Sequence, residues 1–476
     1  MHTHEPTAYQ PDSPPPQREE NPKKVSLARV AAASSIGTTI EFYDFFIYGT
    51  AAALVFPHVF FADQDPATAT LASFATFAVA FFARPVGAIV FGHFGDNIGR
   101  KRTLVWTLLI MGIATVFIGL LPGYDTGAFG LFSDGIGIWA PILLVLCRFF
   151  QGFAVGGEWA GATLLTAEYA PKGRRGMMGM WPQLGPAFAF CLSSGTFLLF
   201  TFAASGEMDA DSAFLRYGWR IPFILSAALV AVGLWIRLAV EETPVFKTVE
   251  IRQTTETVRR LPFLDAIRHQ WKEILIAGGA LASLFSLFYM GTSFLTSYGT
   301  ANLGHSRAFV LAMGMIGSVL FGAAIVASAM WSDTIGRRKV IGASCVLAVP
   351  WALCLFPVLD SGSPVAFAAG LWITLIIFGI AYGPTGAALP EMFQARFRYT
   401  GAGLGYNLAG ILGGAIPPLI AAQLVGSGDS FGVGIMLAVL SGISVLCVIA
   451  MHESSRNDIN AGAQDESEEE SATLVT

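Results

Sequence analysis

About twelve runs of roughly twenty apolar residues, parted by short polar or glycine-rich breaks, leave this chain one solvent to fold in, because a helix needs ~20 such residues to cross a bilayer. In the first half the runs predict spans near Val30–Phe56, Leu71–Phe94, Thr103–Leu121, Ala140–Thr166, Met177–Ala203 and Trp219–Val240. In the second half they fall near Glu273–Tyr298, Ala308–Trp331, Val340–Leu359, Val365–Leu389, Thr400–Val425 and Gly432–Met451. Only 13% of the 476 residues are charged, against 54% hydrophobic, too few charges to coat a water-facing surface. The expected fold class is an all-α membrane protein.

Basic residues set the expected orientation, since short cytoplasmic loops collect Lys and Arg. With the N-terminus inside, inner loops and tails hold 23 of the 28, outer loops hold Arg216, Arg220 and Arg307, and Arg84 and Arg148 lie within helices. Both termini of a multi-pass inner-membrane protein are therefore expected in the cytoplasm. The polar, proline-rich lead lacks the order of a signal peptide and reads as disordered, which makes the first span an uncleaved anchor.

Internal repetition divides the chain. "GHFGDNIGRKR" (Gly92 to Arg102) returns as "AMWSDTIGRRK" (Ala329 to Lys339) at an offset of 237, and Glu168 and Arg175 pair with Glu391 and Arg398 at an offset of 223. A long outer loop in the first half, 18 residues from Pro122 to Trp139 against 5 from Asp360 to Pro364, accounts for nearly all of the change. The expected organisation is an N-terminal tail over 1–28, a six-helix half over 29–240, a linker over 241–271, a second six-helix half over 272–452 and an acidic tail over 453–476. The linker's "LPFLDAIRHQW" end suggests a short interfacial helix.

Four charges interrupt the apolar runs at similar depth. Glu41 and Asp44, in "GTTIEFYDFFIYG", and Arg84 lie about halfway along their helices, and Arg148 lies somewhat outward of the middle of its own. Facing lipid, each would cost ~2.5 to 3.5 kcal/mol or more, so a shared polar centre is expected. Tyr48, one turn after Asp44, joins that face. Guanidinium groups stay protonated and match a carboxylate fork, which makes Arg84 and Arg148 candidate anion receptors. A carboxyl withdrawn from water favours its neutral form, which makes Asp44, and Glu41 beside it, candidate proton carriers. The competing reading is a fixed ion-pair network that only orders the first half.

Weaker signals surround this centre. Gln183 and Asn407 are candidates for bonding substrate hydroxyls, or else for tying helices together. Tyr43, Trp159, Trp181, Tyr298, Tyr382 and Tyr406 are candidate cavity aromatics, although such rings also fill helix contacts. Gly152, Gly156, Gly157 and Gly161 suit close helix approach. The five cysteines and seven histidines show no ligand spacing, so no metal is expected. No lysine follows a glycine, which excludes the phosphate-binding GxxxxGK[ST] loop and ATP drive. No nucleic-acid partner is expected; an enzyme would need its catalytic constellation near a membrane face, whereas these charges cluster at mid-depth, and neither tail is long enough for a sensor's folded signalling domain.

The ordered set of motifs carries a family resemblance over about Val30 to Val448. "GHFGDNIGRK" and "RFFQGFAVGGEWAGA" resemble loop and helix motifs of the major facilitator superfamily. "IEFYDFFIYG", "ARPVGAIVFGHFGD", "YGWRIPFILS", "EETPVF" and "FRYTGAGLGYNLAGILGGAIPPLIAA" are closest to its metabolite:H+ symporter branch, which includes shikimate, 2-oxoglutarate and proline/betaine carriers. The resemblance implies two six-helix halves, a monomer as the working unit, no cofactor, and uptake of a small organic acid together with H+ down a proton gradient. Uptake of a zwitterionic osmolyte and drug/H+ antiport are the alternatives. Helix five carries Gly185-Pro186 but not the paired glycines of drug antiporters, which argues against efflux. Resemblance and charge together suggest gating for Asp96, Gly99, Arg100, Lys101, Glu158, Glu168, Arg175, Asp333, Gly336, Arg337, Arg338, Glu391 and Arg398.

Overall fold

A computed structural model describes residues 27–98, 100–128, 134–156, 163, 170, 173–203, 213–239, 262–394 and 397–453. Most of the two tails and the linker, together with Gly99, Gly157, Glu158, Trp159, Gly161 and Glu168, lie outside the described residues. So do the side chains of Asp96, Arg100 and Lys101, whose backbone is helical.

Within hydrocarbon every backbone N–H and C=O must be answered inside the chain, which favours helix throughout. Among the described residues that is what the sequence forms, apart from a lone bridge between Thr126 and Asp134. In chain order the long helices are α1 (Leu27–Leu54), α2 (Pro66–Ile98), α3 (Arg100–Leu120), α4 (Trp139–Val155), α5 (Arg175–Ala203) and α6 (Arg220–Ala239, entered through a π turn at Phe214–Gly218). The second half repeats the pattern. It comprises α7 (Pro262–Tyr289, continuing through π turns to Asn302), α8 (Arg307–Ile335), α9 (Arg337–Leu359), α10 (Pro364–Glu391), α11 (Arg398–Ala409, continuing to Gly426) and α12 (Ser430–Ala450).

Ten of these segments are long and apolar enough to cross a membrane. The described part of α4 is shorter, and α1 carries Glu41 and Asp44. Several helices overrun the apolar windows that predict them: α2 begins at Pro66 rather than Leu71 and ends at Ile98 rather than Phe94. Hydropathy senses the hydrocarbon, whereas backbone pairing continues into the interface. At the start of α7, residues from Pro262 are helical up to a break at Gln270 (φ −128°, ψ 29°), and His269 there stacks on Phe397. The π turn Gly410–Ala415 of α11 lies one residue before Pro417 and Pro418, which have no N–H to offer the preceding turn.

Aromatic rings hold the two halves together. Phe45 of α1 and Phe81 of α2 meet Tyr289 of α7 at 5.4 and 5.0 Å between centroids, and Phe46 meets Phe288 at 5.5 Å. Large apolar side chains such as Trp106, Phe117, Phe202 and Leu446 point outward, as a lipid-facing surface requires. At the face bearing both described chain ends, the Asp333 carboxylate at the end of α8 accepts from the Gly176 and Met177 N–H groups at 2.8 and 2.9 Å. An anion is thus set against the positive end of α5, across the halves. At the opposite face Arg307 of α8 stacks over Phe214, 3.8 Å from ring centroid to guanidinium carbon.

Candidate functional site

Four charged side chains meet at the centre of the bundle. Glu41, Asp44, Arg84 and Arg148 line one small cavity, and Glu41 and Arg84 continue into a second with Tyr406 and Asn407 of α11. All four charged groups are buried, Arg148 to 1% and Asp44 to 2% exposure. Each cavity has room for only one water-sized sphere, about 10 Å3. The centre is closed around its charges.

Local packing explains the meeting of α2 and α4. A Cβ on Gly152 would lie 2.3 Å from the Ala80 carbonyl oxygen, and one on Gly156 would lie 2.1 Å from that of Arg84. Glycine at both positions lets the backbones touch, which brings Arg84 and Arg148 into one chamber. Aromatic faces then hold the cations. The Arg148 guanidinium carbon lies 4.0 Å from the Tyr48 ring centroid and 4.6 Å from that of Phe45, and Arg84 lies 5.0 Å from the same Phe45 ring and 5.1 Å from Phe81. Such contacts supply ~0.5 to 2 kcal/mol and leave the edges of the guanidinium planes for hydrogen bonds.

Those edges are sparsely used. Arg148 Nη1 donates to Gln151 Oε1 at 3.1 Å, while Arg148 Nε and Nη2 and Arg84 Nε have no hydrogen-bond partner, nor has Asp44 Oδ1. Asp44 Oδ2 accepts from the Thr115 hydroxyl at 2.8 Å, and Gln151 Nε2 donates to Thr115 at 2.7 Å. Carboxylate and arginine are thus joined through two neutral side chains rather than directly.

The structure places the other sequence candidates unevenly. Tyr48 supports Arg148 and donates to Thr76 at 2.7 Å. Asn407 reaches the centre, its Nδ2 donating across the halves to the Gly156 carbonyl at 3.3 Å. Gln183 ties α5 to the Tyr382 carbonyl of α10 at 3.0 Å, and Tyr382 lies 3.4 Å from Tyr406, hydroxyl to hydroxyl. Tyr43 turns away toward the Pro222 carbonyl of α6, and Trp181 packs half-buried against the core. Tyr298 sits far from the centre, hydrogen-bonded to Asp360 at the end of α9. Its aromatic character gave no direction along the helix.

Among the gating candidates, Arg337 bridges Asp333 at 2.8 Å and Glu391 at 3.6 Å. Arg398 donates to the Pro390 carbonyl at 3.1 Å, and Arg338 to that of Val448 at 3.0 Å. Gly336 has φ 105°, a conformation glycine adopts without strain, and Arg175 begins α5 beside the Asp333 contact. Sequence reading missed Thr115, Gln151 and Tyr289. Gln151 was within reach, three residues after Arg148 on a helix, but Thr115 is one hydroxyl in an apolar run and carries no distinguishing signal.

Two six-helix halves packed around a buried charged centre are the architecture of the major facilitator transporters. The sugar (and other) transporter family model matches residues 30–275 and 274–454, and the chain belongs to that family. It is 43% identical to the inner membrane metabolite transport protein YhjE of Escherichia coli K12, over 91% of this chain and 96% of that one. It is 38% identical to the shikimate transporter of the same organism (92% and 98% covered) and 32% identical to the proline/betaine transporter of Salmonella typhimurium LT2 (91% and 85%). These relatives place it in the metabolite:H+ symporter branch. A crystal structure of a D-xylose-proton symporter has the same fold, with a TM-score of 0.67 at 17% identity, covering 91% of this chain and all of that one.

Proposed function

We propose that this transporter takes up a small organic acid together with a proton. The observation that carries the reading is the set of unclaimed groups at the centre: three guanidinium nitrogens without an acceptor, beside a carboxylate oxygen without a donor. A substrate carboxylate answers the first and a proton the second. Charge balance couples them. With both acids ionised the four charges sum to zero; an anion alone or a proton alone leaves a buried net charge, and the two together leave none. Arg84 and Arg148 hold the anion, Asp44 takes the proton with Glu41 beside it, and Asn407 bonds a substrate hydroxyl. The Asp333, Arg337 and Glu391 chain holds one face shut. That face, rich in Lys and Arg, is the cytoplasmic one.

The names of the shikimate and proline/betaine carriers mark the two substrate classes to separate. A zwitterion is the second reading, favoured because Glu41 and Arg84 present both signs to one cavity. Proteoliposomes with an inward proton gradient, offered shikimate, aromatic monocarboxylates, dicarboxylates, proline and betaine, test both. Accumulation of a carboxylate that collapses with a protonophore is the expected result. Gradient-driven accumulation of the zwitterions alone would replace the first reading with the second.

A further inference from the structure

We infer that Thr115 and Gln151 form a relay that reports the protonation of Asp44 to Arg148; the inference rests on the reading of Asp44 as the proton carrier. Thr115 Oγ1 has two possible acceptors for its one proton, Asp44 Oδ2 at 2.8 Å and the Met111 carbonyl at 2.9 Å. Its remaining contact is the Gln151 amide nitrogen at 2.7 Å, which can only donate. The amide's orientation is fixed at its other end, because Arg148 has donors alone and must face Gln151 Oε1.

The order of bonds therefore has a direction. While Asp44 is ionised, it draws the Thr115 proton; the hydroxyl oxygen becomes a better acceptor for Gln151, and the polarised amide oxygen holds Arg148 more firmly. Protonation weakens the acceptor at the head of the chain. When the proton settles on Oδ2, Asp44 becomes the donor and the Thr115 proton turns to Met111, with no heavy atom displaced. Either way Gln151 slackens its hold, and Arg148 Nη1 becomes available alongside Nε and Nη2. A proton thereby primes the guanidinium for a carboxylate before any carboxylate arrives. Thr115 and Gln151 are positioning residues, acting through Asp44 and Arg148.

Several groups surround the relay and share its field. Glu41, Tyr43 and Tyr48 come from α1, Arg84 from α2, Cys147 and Arg148 from α4, and Tyr289 from α7, with the hydroxyls of Thr196 and Ser226 on α5 and α6. Direct attraction between Asp44 and Arg148 also responds to protonation, so the test must separate it from the relay.

Infrared difference spectroscopy on the full chain in lipid, titrated from acid to alkaline pH without substrate, makes that separation. The Asp44 carboxyl band is assigned by its loss in Asp44→Asn, and the Arg148 guanidinium band by its loss in Arg148→Lys. In the unsubstituted protein the guanidinium band should shift with the carboxyl midpoint. In Thr115→Val and in Gln151→Met the carboxyl should still titrate, which shows the site intact, while the guanidinium shift is lost; Thr115→Ser should restore it. An undiminished guanidinium shift in Thr115→Val would assign the coupling to direct attraction and overturn the relay. A carboxyl that titrates in every variant without any guanidinium response would overturn it too. A carboxyl that never titrates overturns the proton-carrier reading, and the relay with it.

Discussion

Phe45 is the residue on which both cations lean, and its ring explains how two arginines share a chamber without a direct counter-ion bridge between them and Asp44. The faces are occupied and the edges remain, so a lysine, which keeps the charge but loses the planar fork, should bind a carboxylate worse. Arg84→Lys and Arg148→Lys are each expected to weaken substrate binding by about 1.5 to 3 kcal/mol, the worth of a charged hydrogen bond, read by calorimetry. Equal affinity in both would return these residues to a structural role. Asp44→Asn imitates the protonated acid. It should keep substrate exchange across vesicle membranes while losing accumulation driven by a pH gradient, and gradient-driven accumulation at the unsubstituted level would remove Asp44 from the coupling. That the four charges meet was legible because charge in an apolar run is costly when it faces lipid. Thr115 was not, since a hydroxyl in such a helix commonly bonds its own preceding turn, and this one does that as well.

Helices α2 and α4 depend on contact without side chains. Gly152→Val would press two methyl groups into the Ala80 backbone, and the resulting separation should lower stability by about 1 to 3 kcal/mol, measured as thermal unfolding in detergent. Unchanged stability would mean that the two helices are free to part. The seam between α5 and α8 is electrostatic instead. Asp333→Asn removes the charge facing the positive end of α5 and the partner of Arg337, so spin labels at the ends of α5 and α8 should report a longer distance and transport should slow. An unaltered distance would exclude Asp333 as a closing contact. The helices themselves were legible from apolar length, and the repeated Asp333 motif from its offset. Their ends were not, because hydropathy is silent once the backbone leaves hydrocarbon. Nor was the direction of Tyr43 or Tyr298 about its helix, which is set by neighbours that sequence does not reveal.

At the scale of the whole molecule, the balance of two acids and two arginines predicts a stoichiometry. If a monocarboxylate enters with one proton, each cycle moves no net charge. Accumulation by vesicles should then respond to a pH gradient and ignore a potential set with potassium and valinomycin. A response to potential would instead fit a zwitterion carried with a proton. The two-half plan was legible from internal repetition, and the family from its ordered motifs. That the centre is closed, with room for about one water on either side of Arg84 and Glu41, was not, because closure is a property of how the halves meet.

Where the chain leaves α12, Glu453 caps the start of α9: its carboxylate accepts from the Arg337 and Arg338 N–H groups at 3.0 and 3.1 Å and lies against Gly336, where a Cβ would sit 2.7 Å from Oε2. The same loop carries the Arg337 side chain to Asp333 and Glu391, so the last described residue of the protein braces a contact between its halves. Anyone shortening this protein from the rear, to crystallise it or to append a reporter, meets a boundary there. Removal of 454–476 spares the brace, whereas ending the chain at His452 strips the cap from α9 and loosens a seam four helices upstream in sequence.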